Sequence, residues 1–323
     1  MQSFLNSPLT IGSLRLEHRL IQGPLAGFSC APFRELFSTY TPPAYCVSEM
    51  ISAHDLLYKH KLHSRYLFRS PEEKLLCYQI AGNDVTTMAQ ASAHLEGIGA
   101  DLIDINCGCP KTKIRKKGAG SALLEEPQRL IDIITAVRQN ITIPLTVKIR
   151  IQGNAADIDL VKRIEEAGAN AIIVHGRHWS VDYEQPCNLQ QIASIKQAIT
   201  IPVIANGDIF DKQTLSQAIN ISGCDGYMIS RAGTGKPWLY ESLLSGNEIF
   251  LDNNQLKFLF MNHLMGLAKL EDDFKAMLQS KSLFRYYFKN RINTQQLQEF
   301  YALRNLNDIE NHVTALDLIP RIS

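Results

Sequence analysis

Thr142-Ile143-Pro144-Leu145-Thr146-Val147-Lys148-Ile149-Arg150 reads as a helix-to-strand turn followed by a strand over 145–150. Its opening recurs at Thr200-Ile201-Pro202-Val203. Gly99-Ala100-Asp101, Gly168-Ala169-Asn170 and Gly223-Cys224-Asp225 each stand just before another short apolar run. One helix-to-strand connection is being reused along the chain. Working outward, strands are expected at 20–24, 44–48, 75–80, 102–106, 145–150, 171–175, 202–206 and 226–230. Short apolar runs bounded by turns fit strands buried on both faces. The stretches between them read as helices. In 125–139, Leu130, Ile133, Ile134 and Val137 make one stripe, with Pro127 in the first turn; 157–167 repeats the form and stops at Gly168. Eight βα units in roughly 240 residues fit a parallel (β/α)8 TIM barrel; an open doubly wound sheet is the rival reading.

After residue 243 the rhythm changes. Gly246 and Asp252-Asn253-Asn254 mark a boundary, and no strand-like run follows. Leu256, Leu259, Phe260, Leu264 and Leu267 form a helical stripe, and another helix is expected from Thr294. The expected organisation is a catalytic barrel over 1–243 and a small all-helical domain over 244–323. Within the latter, Lys281, Arg285 and Lys289 recur at i, i+4 and i+8, while Phe284, Tyr287 and Phe288 line the other face. These cations are either a solvated helix face or a phosphate-contacting stripe.

The 323 residues are 45% hydrophobic and 20% charged, with a net charge of +1, so any polyanion-binding surface must come from local clustering. Seven cysteines, an odd number without small-scaffold spacing, favour reduced thiols in a cytoplasmic chain. The N-terminus has no basic stretch leading into an apolar one, and no run of about 18 apolar residues exists, so neither a signal peptide nor a membrane span is expected.

In a parallel barrel, chemistry belongs at the C-terminal ends of the strands. Those ends are polar here: Gln79, Asn106 to Cys109, Lys148 and Arg150, His175 to Arg177, Asn206 to Asp208, Ser230 and Arg231. The densest stretch is Asp104-Ile105-Asn106-Cys107-Gly108-Cys109-Pro110. The loop Lys111-Thr112-Lys113-Ile114-Arg115-Lys116-Lys117 follows, with five cations and no acid, then Gly118 and Gly120. Two thiols without a second pair are weak support for zinc, and no metal is expected. Cys109 sits just past a strand end beside cations, where a thiol can serve as nucleophile or acid. Lys148 and Arg150 alternate with Val147 and Ile149, so both point to one side. A lysine in a barrel mouth needs an anionic partner: an internal acid, or an edge such as the N1–C2=O side of a flavin. Asn206-Gly207-Asp208 and Ser230-Arg231-Ala232-Gly233 close the seventh and eighth strands, where barrels often bind phosphate. The basic loop is either a solvated loop or a guide for a polyanion. Its place directly after Cys109, in a near-neutral chain, favours the guide.

Together these motifs resemble those of the tRNA-dihydrouridine synthases, flavoenzymes that reduce uridines in tRNA. The resemblance rests on Gly23-Pro24-Leu25-Ala26-Gly27 with Pro32-Phe33-Arg34, Asn106-Cys107-Gly108-Cys109-Pro110, Gly118-x-Gly120-Ser121-x-Leu123-Leu124, Val147-Lys148-x-Arg150, His175-Gly176-Arg177, Asn206-Gly207-Asp208 and Pro237-Trp238-Leu239, in the family's order. It implies that Cys109 is the general acid at uracil C5, and that FMN, reduced by NADPH, delivers hydride to C6. Pro24, Leu25 and Ala26 would pack on the isoalloxazine, Gln79 and Lys148 would bind its polar edge, and His175 would sit nearby. Asn206, Asp208, Ser230 and Arg231 would hold the ribityl-phosphate. On the substrate side the resemblance implies Asn106 and Arg177; the charge patterns add Lys111, Lys113, Arg115, Lys116, Arg150, Lys281, Arg285 and Lys289 as candidate tRNA contacts, and a monomer is expected. The chain departs from the family at Phe28-Ser29-Cys30, where an Asp is common, at Ser230-Arg231-Ala232, where Gly-Arg-Gly is usual, and in the loop 178–183, where Tyr183 keeps an aromatic. Two other readings share the scaffold: an FMN barrel acting on a free pyrimidine or other small molecule, and a non-enzymatic RNA-binding protein.

Overall fold

In a computed structural model of the chain, which describes residues 1–182 and 184–319, eight parallel strands close into a ring. Tyr183, the aromatic of the 178–183 loop, lies outside the described residues. The strands are β1 (Leu20–Gln22), β2 (Cys46–Val47), β3 (Leu76–Ala81), β4 (Leu102–Cys107), β5 (Leu145–Arg150), β6 (Ala171–His175), β7 (Val203–Asn206) and β8 (Gly226–Ile229). Each pairs with the next, and β8 returns to β1 through Met228 opposite Ile21, so the sheet has no open end and the doubly wound alternative is excluded. The bounds of β5 and β6 fall where the apolar runs place them; β2 keeps only two residues. A short added strand, Ile51–Ser52, lies beside the end of β3.

Alternation along each strand sorts the side chains. Ile103, Ile105, Cys107, Val147 and Ile149 belong to the apolar layer shared with the surrounding helices, including Leu130, Ile133, Ile134 and Val137 of the helix Pro127–Asn140. Leu102 and Ile173 instead join Ile21, Cys77, Ile204 and Met228 in a second cluster. That cluster is completed by a hairpin, Leu9–Ile11 against Leu14–Leu16, whose Leu9, Ile11 and Leu16 cover the N-terminal end of the barrel. Strands of three residues carry too little periodicity to be legible in the sequence.

The repeated turn has a physical cause. Asp101, Asn170 and Asp225, the last residues of the three Gly-x-Asp/Asn segments, accept the backbone N–H of Leu76, Leu145 and Val203 at 2.8, 2.9 and 2.8 Å. Each thereby ties its own strand's entrance to that of a neighbour. Glu96 and Glu165, three residues before Gly99 and Gly168, each take the N–H and hydroxyl of a threonine and the N–H of the next isoleucine: Thr142 and Ile143 for Glu96, Thr200 and Ile201 for Glu165.

The helix Leu239–Ser245 ends at Gly246 (φ 79°), and Leu243 and Leu244 belong to the barrel core, so residue 243 falls inside the last barrel helix. Among the described residues four helices follow: α1 (Asn253–Leu270), α2 (Asp273–Tyr287), α3 (Thr294–Ala302) and α4 (Leu306–Ala315). Asp252 with Gln255 and Asn293 with Gln296 form capping boxes at α1 and α3. Phe260, Leu264, Leu267, Phe284, Phe288 and Phe300 make the tail's core, which reaches Cys30 and Leu36 of the barrel. No described helix is long and apolar enough to cross a membrane.

Candidate active site

The site begins with strand register. Gln79 stands opposite Asp104, Asp104 opposite Thr146, and Asn106 opposite Lys148. Thr146 donates its hydroxyl to Asp104 Oδ1 (2.6 Å), and Gln79 Nε2 donates to Asp104 Oδ2 (2.7 Å). Asn106 Nδ2 donates to Gln79 Oε1 at 2.8 Å, and Asn106 Oδ1 accepts the N–H groups of Gly108 and Cys109 at 3.2 and 2.9 Å. Asp104, Gln79 and Asn106 are all buried.

Cys109 lies two residues beyond β4 at the C-terminal mouth and is half-buried, whereas its neighbour Cys107 is buried in the outer apolar layer. The Cys109 loop is pinned from three sides. Asn106 holds its N–H. Ser121 donates both its N–H and its hydroxyl to the Cys109 carbonyl, each at 3.0 Å. Arg150 Nε donates to the Gly108 carbonyl at 2.9 Å. Gly120 has φ 64°, and a Cβ there would stand 2.8 Å from the Cys109 carbonyl oxygen, so this turn demands glycine.

Across the mouth, Lys148 Nζ donates to Asn206 Oδ1 (2.8 Å), whose Nδ2 donates to the Met228 carbonyl (2.9 Å). Burial disfavours both charged forms here: it lowers the Lys148 pKa, with Asp104 opposing, and raises that of Asp104, with Thr146 and Gln79 opposing. Burial, then the cations Lys148, Arg150, Arg177 and Arg231, push His175 down to about 2, so its imidazole is neutral. Lys148 spends one of three N–H donors on Asn206, and a lysine in this setting suits an electron-rich ligand edge. Gly23 and Gly207 leave no room for a Cβ, which would stand 2.5 Å from Ser230 Oγ and 2.2 Å from Cys187 Sγ, so these two side chains pack on bare backbone. The donor set at Lys148 fits the electron-rich edge of a flavin ring. Pro24, Leu25 and Ala26 form the loop after β1, held where Ser29 Oγ accepts the Leu25 N–H at 3.0 Å and Glu49 takes the Gly27 N–H.

Several expected positions have other work. Arg177 is buried and grips Asp208 with two bonds, at 2.6 and 2.7 Å, and Asp208 also accepts the Cys187 N–H. This pair clamps the loop after β6 to that after β7, and a carboxylate there is a poor neighbour for phosphate. Ser230 and Arg231 remain at the end of β8, with Arg231 exposed. Arg150 is buried beneath the Cys109 loop and also donates to the His178 carbonyl at 3.2 Å, so it lies off the outer surface. Arg115 bonds Ser121 and Glu125 and stacks over Trp179 at 3.5 Å. Lys111, Lys113 and Lys116 are exposed on the same loop. Lys281 leaves the expected stripe: its Nζ donates to the Phe300, Tyr301 and Leu303 carbonyls at 2.9, 3.2 and 2.7 Å, capping the end of α3. Arg285 and Lys289 are exposed, the latter beyond the end of α2.

Asp104, Thr146, Ser121, Glu49 and Arg65 had no role in the sequence reading. Asp104 was detectable: two residues before Asn106 in a strand, it must share the inward face. Arg65 was not, because its partners Glu49, Glu271 and Gln279 come from the barrel, the end of α1 and the middle of α2.

Residues 21–319 match the model of the dihydrouridine synthase family. A protein named tRNA-dihydrouridine synthase B from Vibrio parahaemolyticus is 32% identical, over 93% of this chain and 94% of its own. One of the same name from Pseudomonas syringae pv. tomato is 33% identical, over 94% and 92%. Among solved structures, an old yellow enzyme homologue from Zymomonas mobilis superposes with a TM-score of 0.55 at 14% identity, covering 77% of this chain and 94% of its own. A 2-naphthoyl-CoA reductase does so with a TM-score of 0.60 at 14% identity, over 76% and 53%. At such identities the structures establish the barrel alone.

Proposed function

The chain belongs to the dihydrouridine synthase family, and from that premise we propose that it reduces the C5=C6 bond of specific uridines in tRNA, with Cys109 as general acid. The observation that carries this is the register of Asn106 against Lys148, which puts the Cys109 loop and the half-buried lysine on adjacent strands at one mouth. FMN is the proposed cofactor; when bound, it supplies hydride to uracil C6, with NADPH as the source of electrons. Lys148 would hold the ring's electron-rich edge, with Gln79 beside it. Asn206, Ser230 and Arg231 would hold the ribityl-phosphate side, and neutral His175 would sit near without adding charge. Pro24, Leu25 and Ala26 would form an apolar wall. Cys109 holds the proton that passes from Sγ to C5. A stacked uridine cannot present its face to a barrel mouth, so the base must flip out. Lys111, Lys113, Lys116, Arg285 and Lys289 are the proposed phosphate contacts, with Arg115 placed by Trp179 rather than by RNA.

Purified protein should release FMN on denaturation. Cys109→Ala should keep its flavin and lose dihydrouridine formation by roughly 10²–10⁴-fold. A colourless protein would overturn the cofactor assignment. Turnover of free uridine equal to that of tRNA would shift the reading to a small-molecule reductase.

A further inference from the structure

Asp104 lies one strand layer below the mouth and touches neither the lysine ammonium nor the Cys109 loop within hydrogen-bond distance. Its position is nevertheless decisive for both amides above it. Side-chain amides are nearly symmetric in shape, so packing alone does not determine which end is oxygen. An ionised carboxylate accepts only. With Asp104 taking Thr146 Oγ1 at 2.6 Å and Gln79 Nε2 at 2.7 Å, Gln79 must turn its oxygen the other way. That oxygen can only accept, so Asn106 must offer Nδ2, at 2.8 Å. Asn106 Oδ1 then faces the loop and receives the N–H of Gly108 and of Cys109. Every link runs in one direction, from two backbone donors at the mouth to one acceptor in the barrel.

We propose that Asp104 is a positioning residue: it sets the direction of the Asn106–Gln79 amide relay and thereby fixes the Cys109 loop at the mouth. The assignment of Cys109 as the acid rests on the function proposed above; the relay itself does not. Asparagine at 104 can still accept from Gln79 through its oxygen and donate to Thr146 Oγ1, so Asp104→Asn preserves the direction. Leucine is close in shape and removes the acceptor, leaving the Gln79 amide without a partner.

The test compares Asp104→Asn with Asp104→Leu in flavin-stripped and flavin-loaded protein. In stripped protein, iodoacetamide labelling of Cys109, followed by peptide mass spectrometry, should quicken about fivefold or more in the leucine variant and stay within about twofold in the asparagine variant. In loaded protein, dihydrouridine formation per bound flavin should fall about tenfold in the leucine variant and stay within about twofold of wild type in the asparagine variant. Unchanged labelling and unchanged dihydrouridine formation in Asp104→Leu would overturn the proposal. So would equal damage by both variants, which would make charge the operative property. Should the leucine variant not fold, amide exchange in the unmodified protein decides: the Cys109 N–H must be protected like the β4 ladder, and free exchange would refute the relay. Labelling that responds as expected, in a protein that reduces no tRNA, would sink the proposed reaction and leave the relay standing.

Discussion

Lys148 and His175 show how one mouth treats two basic side chains differently. Both are penalised by burial, yet Lys148 has Asp104 to oppose the penalty while Lys148 and three arginines push His175 further down. Lys148→Met should leave the fold intact and weaken flavin retention at least tenfold, measured as flavin bound after gel filtration. For His175 and for His263, which burial lowers to about 3, the unfolded imidazole takes its proton near 6.5 and the folded one does not. The unfolded state therefore binds more protons below about 6.5. Stability is full above that value and falls as pH drops toward the folded values. His263→Gln should flatten this acid slope in urea titrations, by about 2–3 kcal/mol between pH 7 and 4.5. An equally steep slope in the variant would count against a neutral His263. Asp104 is the residue most legible in retrospect, since strand period alone turns it inward with Asn106. Its role as acceptor required knowing that Gln79 and Thr146 flank it.

At the scale of elements, the two glutamate clamps explain why Thr-Ile-Pro is repeated. Glu96 and Glu165 satisfy strand-entrance N–H groups that the following proline leaves without a ladder partner nearby. Glu165→Ala should cost about 1–2 kcal/mol in urea unfolding and leave dihydrouridine formation unchanged, because the clamp sits at the end of the barrel opposite the mouth. In the tail, the i, i+4 spacing of Lys281 and Arg285 identified a helix face but not what faces it. Lys281 finds three carbonyls at the end of α3, which no spacing within α2 reveals. Arg285→Gln should lower the slope of log affinity for tRNA against log salt by roughly one unit. Lys281→Gln should leave that slope unchanged and lower the tail's melting temperature. The reverse pattern would restore Lys281 to the RNA surface.

The whole molecule depends on a joint between barrel and tail. Arg65 bonds Glu49 at 2.6 Å, Gln279 at 3.1 Å, and Glu271, while Gln279 Nε2 reaches the Gly27 carbonyl at 2.6 Å. Phe28 meets Tyr286 edge-on, with centroids 5.5 Å apart. The loop carrying Leu25 and Ala26 is thus held by the same helix that presents Arg285. Arg65→Met would strand Glu49 and Glu271 in a largely buried setting and should cost about 3 kcal/mol, read as a lower denaturant midpoint. A loss below about 1 kcal/mol would mean that the joint is held by apolar packing alone.

Taken by itself, the chain determined the eight strands of its barrel, the apolar faces of its helices and the inward side of β5, because periods of two and 3.6 are written locally in residue type. It also determined which strand ends are polar, and hence where chemistry belongs. Only the tertiary structure decided that the ring closes through Met228 and Ile21, that Arg177 is taken up by Asp208, and that Lys281 belongs to α3. Each of those choices joins residues far apart in the chain. A donor's partner is set by which strand ends and helix ends meet in space, and that information no local pattern contains.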